Sequence, residues 1–257
     1  MNNKVVFLDI DGTILNENKE IPESTKEAVS KLQENGVYVA IATGRAPFMF
    51  KDILKELNIT TYVSFNGSYV VFDGEVLFTH PLDKDQLLEL EKTAFTYRHP
   101  MVFLNENLAV SNWDNHPFIE ESMSSLKMSH PEKDEHFHHN NEVYQALLFT
   151  QVEEGEKFPT THNHFDYVRW HPKALDVLPK GGSKARGIQE LLHKLNIPVE
   201  NTYAFGDALN DLEMLEYVGC GIAMGNGVPE AKEAADFITT HVDENGIYNG
   251  LKKVGLI

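Results

Sequence analysis

The stretch VVFLDIDGTIL, residues 5–15, runs an apolar segment of strand type into two carboxylates, Asp9 and Asp11, one residue apart. Two like charges at the end of a buried strand are costly unless something neutralises them. Alternate residues of extended backbone share a side, so positions 9 and 11 repel each other. A hard divalent cation would relieve that repulsion, and Mg²⁺ takes a few carboxylates together with waters and substrate oxygens. Taken alone, Asp11-Gly12 between apolar runs also reads as a hairpin turn, so the rest of the chain has to decide.

Working outward, VYVAIAT at 37–43 is a second strand of buried type, and ESTKEAVSKLQENG between the two has helical spacing. Ala28, Val29 and Leu32 share one face of that helix and Gly36 is its stop signal. Strand, helix, strand at this spacing is a βαβ unit and implies a parallel sheet. A second helix is expected over APFMFKDILKELNI, with Pro47 in its first turn, and then short strands in YVSFN and SYVVFDGEVLF, with a hairpin at Asp73-Gly74. Near Pro81 the texture changes. A helix over DKDQLLELEKTAFTYR is followed by strand candidates MVFLN, NLAVSN, VYQALLFT, FDYVRWH and ALDVLP. The βα rhythm resumes with SKARGIQELLHKLNI, where Ile188, Leu191, Leu192 and Leu195 share a face and Ser183 is the N-cap. TYAFGD, NDLEMLEYVG, CGIAMGN and DFITT continue it as strand, helix, strand, strand. The expectation is an α/β protein: residues 1–81 and 181–257 form a doubly wound, mostly parallel core, and 82–180 are an inserted α+β module.

Composition excludes several classes of function. With 42% hydrophobic and 24% charged residues the chain is of ordinary globular type. A formal net charge of −17 argues against broad nucleic-acid binding and against docking on anionic membranes. It leaves room for a small anionic substrate at a local cationic site. The single Cys220 excludes an intrachain disulfide and, in the apolar YVGCGIAM, reads as a buried inert thiol. No apolar run reaches membrane-spanning length and the N-terminus lacks a signal-peptide pattern, so a cytoplasmic location is expected, as monomer or homodimer.

In an open parallel sheet the carboxyl ends of the strands lie along one edge, where ligands bind. Asp9, Thr43 and Asp207 each end an expected strand. In GDALND at 206–211, helix capping accounts for one or two of the polar residues but not for Asp207, Asn210 and Asp211 together. Asp207 is the candidate metal ligand, Asn210 a hydrogen-bond donor to a phosphate oxygen, and Asp211 a supporting acceptor or outer ligand. ATGR at 42–45 offers a hydroxyl, a glycine that lets backbone N–H groups face an anion, and an arginine. Lys184 falls in the first turn of a helix, where a cation costs roughly 0.3–1 kcal/mol against the helix dipole. A local rule broken in this way marks a functional site more often than a solvated surface lysine, and a bound anion reverses the sign. Two carboxylates, a hydroxyl, a lysine and a third carboxylate are the equipment for phosphoryl transfer through an aspartyl phosphate.

The ordered motifs LDIDGT, IATGR, GGSKARG and FGDALND, together with FNGSY and the tail GIAMGNGVPEAKEAADFIT, resemble the haloacid dehalogenase superfamily of phosphohydrolases. The similarity is to its Cof-type branch (class IIB), which has an α/β cap inserted between the second and third motifs. The resemblance implies a Rossmann-like core and a Mg²⁺-dependent phosphatase acting on a small phosphorylated metabolite, a sugar phosphate or related monoester. It implies that Asp9 is the nucleophile and a metal ligand. Asp11 is the general acid/base and meets the metal through its backbone carbonyl. Thr43, Gly44, Lys184, Asn210 and the Ile10 backbone N–H hold the phosphate, with Arg45 a further contact. Asp207 completes the metal ligands and Asp211 supports it. The alternative within the same chemistry is a phosphomutase or phosphotransferase, whose acceptor is a sugar hydroxyl rather than water. A receiver domain uses similar groups but is about half this length and lacks the GDxxND segment. A binding module with a dead site is disfavoured because every motif position retains competent chemistry. His130, His136, His138 and His139 fit no standard zinc spacing, so a solvated polar loop is expected there, and the same for His162 and His164.

Overall fold

The structure is a computed structural model and describes residues 4–257. Its strands, in chain order, are β1 Val5–Leu8, β2 Tyr38–Ala42, β3 Thr61–Ser64, β4 Tyr69–Phe72, β5 Glu75–Thr79, β6 Met101–Leu104, β7 Ala109–Ser111, β8 Gln145–Leu148, β9 Phe165–His171, β10 Ala174–Pro179, β11 Thr202–Gly206, β12 Cys220–Ala223 and β13 Phe237–Ile238. Every residue of β1 is buried, because both faces of the strand are covered. Val6 and Leu8 pack with Ala28, Val29 and Leu32 of the Glu23–Glu34 helix and with Ile247 and Leu251 of the Gly246–Lys253 helix. Val5 and Phe7 point the other way, to Ile188, Leu191 and Leu192 of the Lys184–Leu195 helix. A strand buried on both sides carries a continuous apolar run instead of an alternating one, which is the pattern of VVFL.

The chain divides into two compact units, one of Met1–Arg45, Met49–Thr79 and Ser183–Ile257, the other of Ala46–Phe48 and His80–Gly182. The first carries an eight-stranded sheet of order β13-β12-β11-β1-β2-β3-β4-β5. The pairings from β13 to β3 are parallel, and β4 and β5 add an antiparallel edge. β1 lies between β2 and β11, so successive crossovers leave it in opposite directions. That is the switch point at which α/β sheets open a crevice beyond their carboxyl ends. The β4–β5 hairpin turns at Asp73 (φ 49°) and Gly74 (φ 82°), as the Asp-Gly signal predicts. The helix expected over 46–59 is interrupted: a 3₁₀ turn at Pro47–Met49 precedes a helix at Lys51–Glu56. Phe50 leaves helical geometry between them (φ −133°), and its buried ring meets Tyr62 edge-on at 5.4 Å.

The second unit carries an antiparallel sheet of order β7-β6-β8-β10-β9. Leu87, Leu90 and Ala94 of the Lys84–Thr96 helix pack on Met101, Phe103, Ala146, Leu148, Leu175 and Val177. A helix at Pro117–Ser125 has no counterpart in the sequence expectation. Pro117 at its first turn and the His116 Nδ1 cap, which accepts from Phe118 N at 3.2 Å, were the legible signals. The histidine loop also differs from expectation: His138 is 1% exposed, stacked on Phe103 with ring centroids 4.1 Å apart, and His162 is buried against Thr93. An aromatic shelf on β6 and a carboxylate on the neighbouring helix give the His138 ring apolar and polar partners that its sequence neighbours do not reveal. Cys220 is half-buried, and burial raises its thiol pKa. Among the described residues no helix is long and apolar enough to cross a membrane.

Candidate active site

At the end of β1 the chain leaves the sheet through a turn that only one residue type fits. Asp9 N still donates to Phe205 O of β11 at 3.1 Å, which holds the Asp9 carboxylate, 6% exposed, at the switch point. Gly12 follows at φ 84°, and a Cβ there would lie 2.2 Å from Asp207 Oδ2. Thr13 Oγ1 donates to Asp207 Oδ1 at 2.9 Å, and Asn226 Nδ2 donates to the Gly12 carbonyl at 2.7 Å. The first and last motifs are thus packed together across 194 residues of sequence.

Lys184 is the cation at the centre. Ser183 caps its helix, accepting from Arg186 N at 3.3 Å, and the ammonium in the first turn is buried, 1% exposed. Its Nζ donates to Asp9 Oδ1 at 2.6 Å and to Asp211 Oδ1 at 2.7 Å. Asp211 is itself fully buried, and its other oxygen accepts from the backbone N–H groups of Asp207 and Ala208, both at 2.9 Å. Asp211 therefore folds the Asp207 loop and fixes Lys184 in one stroke. Gly206 is required beside it, since a Cβ there would come within 2.6 Å of the Asp211 side chain.

Asp9, Asp207 and Asp211 each bring one carboxylate oxygen within 4.8 Å of the others, with a single ammonium among them. Burial pushes the Asp9 carboxyl up to about 7 against the pull of Lys184, and Asp211 adds to the rise. Burial likewise pushes Asp207 up to about 6 against the Thr13 hydrogen bond. Burial alone would lower the Lys184 pKa, but Asp211 and then Asp9 outweigh it and hold the ammonium well above its usual range. The lysine keeps its proton and the surplus negative charge falls on Asp9 and Asp207. A hard divalent cation fits this set, being oxygen donors only with a negative charge left over.

Asp11 stands apart. Its carboxylate is gripped by Arg45, Nε to Oδ2 at 2.8 Å and Nη2 to Oδ1 at 2.7 Å, and by Lys19 at 2.7 Å. Burial raises its pKa, but the hydrogen bonds from Arg45 and Lys19 prevail and hold it below the usual carboxylate range. The repulsion between positions 9 and 11 is relieved by separate cations, and the Asp11 side chain is not in the three-carboxylate group. Thr43 is 2% exposed, and its Oγ1 accepts from Arg45 N at 3.1 Å. Asn210 is exposed and its Nδ2 donates to Asn66 Oδ1 at 3.3 Å. A Cβ at Gly44 would meet that same Asn66 amide at 3.1 Å, so residues 44, 66 and 210 adjoin. Ile10 is fully buried behind Asp9. Thr13, Lys19 and Asn66 are functional neighbours that the sequence reading does not single out. Thr13 and Asn66 lie within quoted motifs, LDIDGT and FNGSY, and Lys19 had no signal.

A sequence profile described as haloacid dehalogenase-like hydrolase matches residues 6–251. The chain belongs to this family. YkrA of Bacillus subtilis (strain 168) is 48% identical over the full length of both chains. A crystal structure of a protein from Geobacillus kaustophilus HTA426 is 51% identical, with a TM-score of 0.97 over 99% of each chain. The sugar phosphatase BT4131, of the superfamily's subclass IIB, is 30% identical with a TM-score of 0.84, over 99% of this chain and 100% of that one. The family member described here is a phosphoric monoester hydrolase with a Rossmann-like α/β core.

Proposed function

We propose that the enzyme hydrolyses small phosphorylated metabolites of the sugar phosphate type through a phosphoenzyme formed on Asp9. A buried carboxylate held at a sheet switch point by a fully buried lysine is the observation that carries this reading. The Asp9 carboxylate attacks phosphorus, forming an O–P bond as the ester O–P bond breaks, and Asp11 gives its proton to the departing alkoxide. Water then attacks the same phosphorus, Asp11 takes its proton, and the Asp9–P bond breaks to release inorganic phosphate. Lys184 neutralises charge on the phosphoryl oxygens, and Thr43, Gly44, Asn210 and the Ile10 N–H orient them. Arg45 and Lys19 hold Asp11 ionised in the resting site. Asp11 takes up the proton it passes to the leaving group only as their grip is released on substrate binding, when Arg45 becomes a further substrate contact.

Asp9, Asp207 and the Asp11 backbone carbonyl would hold Mg²⁺, with Asp211 positioning the set. When bound, the ion supplies electrostatic stabilisation of charge on the transferred group. Residues 82–180 are the inserted cap that sets substrate specificity, and 1–81 with 181–257 the catalytic core. The similarity to BT4131, a sugar phosphatase of subclass IIB, supports a sugar phosphate-like substrate.

The test is turnover of p-nitrophenyl phosphate and a sugar phosphate panel with Mg²⁺. Asp9→Asn should abolish turnover while leaving the circular dichroism spectrum intact; retained activity in that variant refutes the assignment. Incorporation of ¹⁸O from labelled water into released phosphate separates hydrolysis from transfer to a second sugar.

A further inference from the structure

A second cluster of potential ligands lies in the His80–Gly182 unit, with no part in the chemistry above. Glu91, His138 and His139 each bring one ligand atom within 4.8 Å of the others. We propose that these three residues form a site for a divalent transition-metal cation of the zinc class. Three independent observations point there. The Glu91 carboxylate is pre-oriented: Asn112 Nδ2 donates to its Oε1 at 3.0 Å, which turns Oε2 to His138 Nε2 at 2.8 Å. Such support of a ligand by a hydrogen bond to its far atom is what metal sites require. The His138 ring is buried, and its Nδ1 has no hydrogen-bond partner among the described residues, so the existing contacts leave the ring half-satisfied. The ring of His139 lies beside it, centroids 4.6 Å apart, and is exposed.

An entry path exists as well. His138 and His139 line a cavity of about 690 Å³ within the same unit, whose wall also carries His80 and His164. Two imidazoles and one carboxylate are the donor set of borderline cations such as Zn²⁺ and Co²⁺, whereas Mg²⁺ prefers oxygen. Bonds of about 2.0–2.1 Å at tetrahedral angles set ligand atoms about 3.3 Å apart. The His138–Glu91 pair has to open by about half an ångström, and the exposed His139 ring has to turn toward them. Water from the cavity supplies the fourth position. Each imidazole binds through a nitrogen lone pair: the proton that now joins His138 Nε2 to Glu91 is given up to water and the unpartnered Nδ1 takes one in its place, so the ring stays neutral and Nε2 faces the ion. The bound ion would tie the Phe137–Asn140 turn to the Lys84–Thr96 helix and so fix one wall of the cavity.

The test uses the full chain, stripped of metal and then held in saturating Mg²⁺, titrated with Co²⁺ and followed by visible absorption and by metal content after dialysis. The expected result is an intense four- or five-coordinate Co²⁺ spectrum whose affinity falls at least about ten-fold in His139→Ala and in Glu91→Gln. Both variants should keep Mg²⁺-dependent turnover, and Asp9→Asn should keep the Co²⁺ spectrum. Identical Co²⁺ isotherms in wild type and His139→Ala overturn the site. So does a spectrum lost in Asp9→Asn but kept in His139→Ala, which would assign the ion to the carboxylates of the active site.

Discussion

Replacing Lys184 by methionine removes the ammonium shared by Asp9 and Asp211 while keeping an unbranched side chain as far as Cε. Its Nζ lies 2.6 and 2.7 Å from the two carboxylates, and neither the lysine nor the Asp211 side chain is exposed to water. Deleting one partner of a buried, hydrogen-bonded ion group costs about 3–5 kcal/mol, because the remaining charge is stranded. At about 2–4 °C per kcal/mol for a domain of this size, the melting temperature should fall by about 6–20 °C. The loss depends on pH with a definite sign. Asp9 has a folded-state pKa pushed up to about 7, above its unfolded value, so near pH 5 it is largely protonated and strands less charge. The deficit should therefore be large at pH 8 and smaller at pH 5, and Mg²⁺ at a hundred times its Kd should stabilise the variant by about 2.7 kcal/mol over the metal-free variant. Thermal unfolding by circular dichroism at both pH values, with and without Mg²⁺, reads all three effects. Turnover should drop by about 10²–10³ through loss of charge stabilisation on the phosphoryl oxygens. A variant that melts within two or three degrees of wild type at pH 8 without Mg²⁺ would refute the reasoning, since Lys184 would then not be holding a charge that burial penalises.

Gly12→Ala should weaken Mg²⁺ activation more than it weakens the fold, because its Cβ would meet Asp207 Oδ2 at 2.2 Å and push that carboxylate aside; a Mg²⁺ titration of activity checks it, and an unchanged activation constant counts against Asp207 as ligand. Arg45→Met should let the Asp11 pKa rise, since burial raises it and the Arg45 hydrogen bonds and charge are foremost in holding it down. If Asp11 protonates the leaving group, the alkaline limb of the kcat/KM profile then moves to higher pH; an unmoved limb separates Arg45 from Asp11 protonation.

The core was readable in sequence because parallel strands buried on both faces leave continuous apolar runs, as VVFL and YAFG do, and because helices on such sheets keep one apolar face, as Ile188, Leu191 and Leu192 do. Lys184 was legible as a cation on the wrong end of a helix, a local cost that two buried carboxylates offset. The grip of Lys19 and Arg45 on Asp11 was not, since extended geometry suggested that residues 9 and 11 share one cation. The strand stops at Leu8, and the Gly12 turn sends Asp11 to other partners. In the second unit, the Pro117–Ser125 helix and the burial of His138 depend on tertiary contacts, Phe103 beneath the ring and Glu91 beside it, that no local pattern encodes.

The most direct measurement is to mix the enzyme with a ³²P-labelled phosphomonoester, quench in acid within milliseconds, and locate the label by peptide mass spectrometry. The label should sit on the peptide containing Asp9, be released by hydroxylamine as an acyl phosphate is, and be absent in Asp9→Asn. Covalent label on any other residue, or full turnover with no labelled peptide under single-turnover conditions, would contradict Asp9 as the group that takes the phosphoryl.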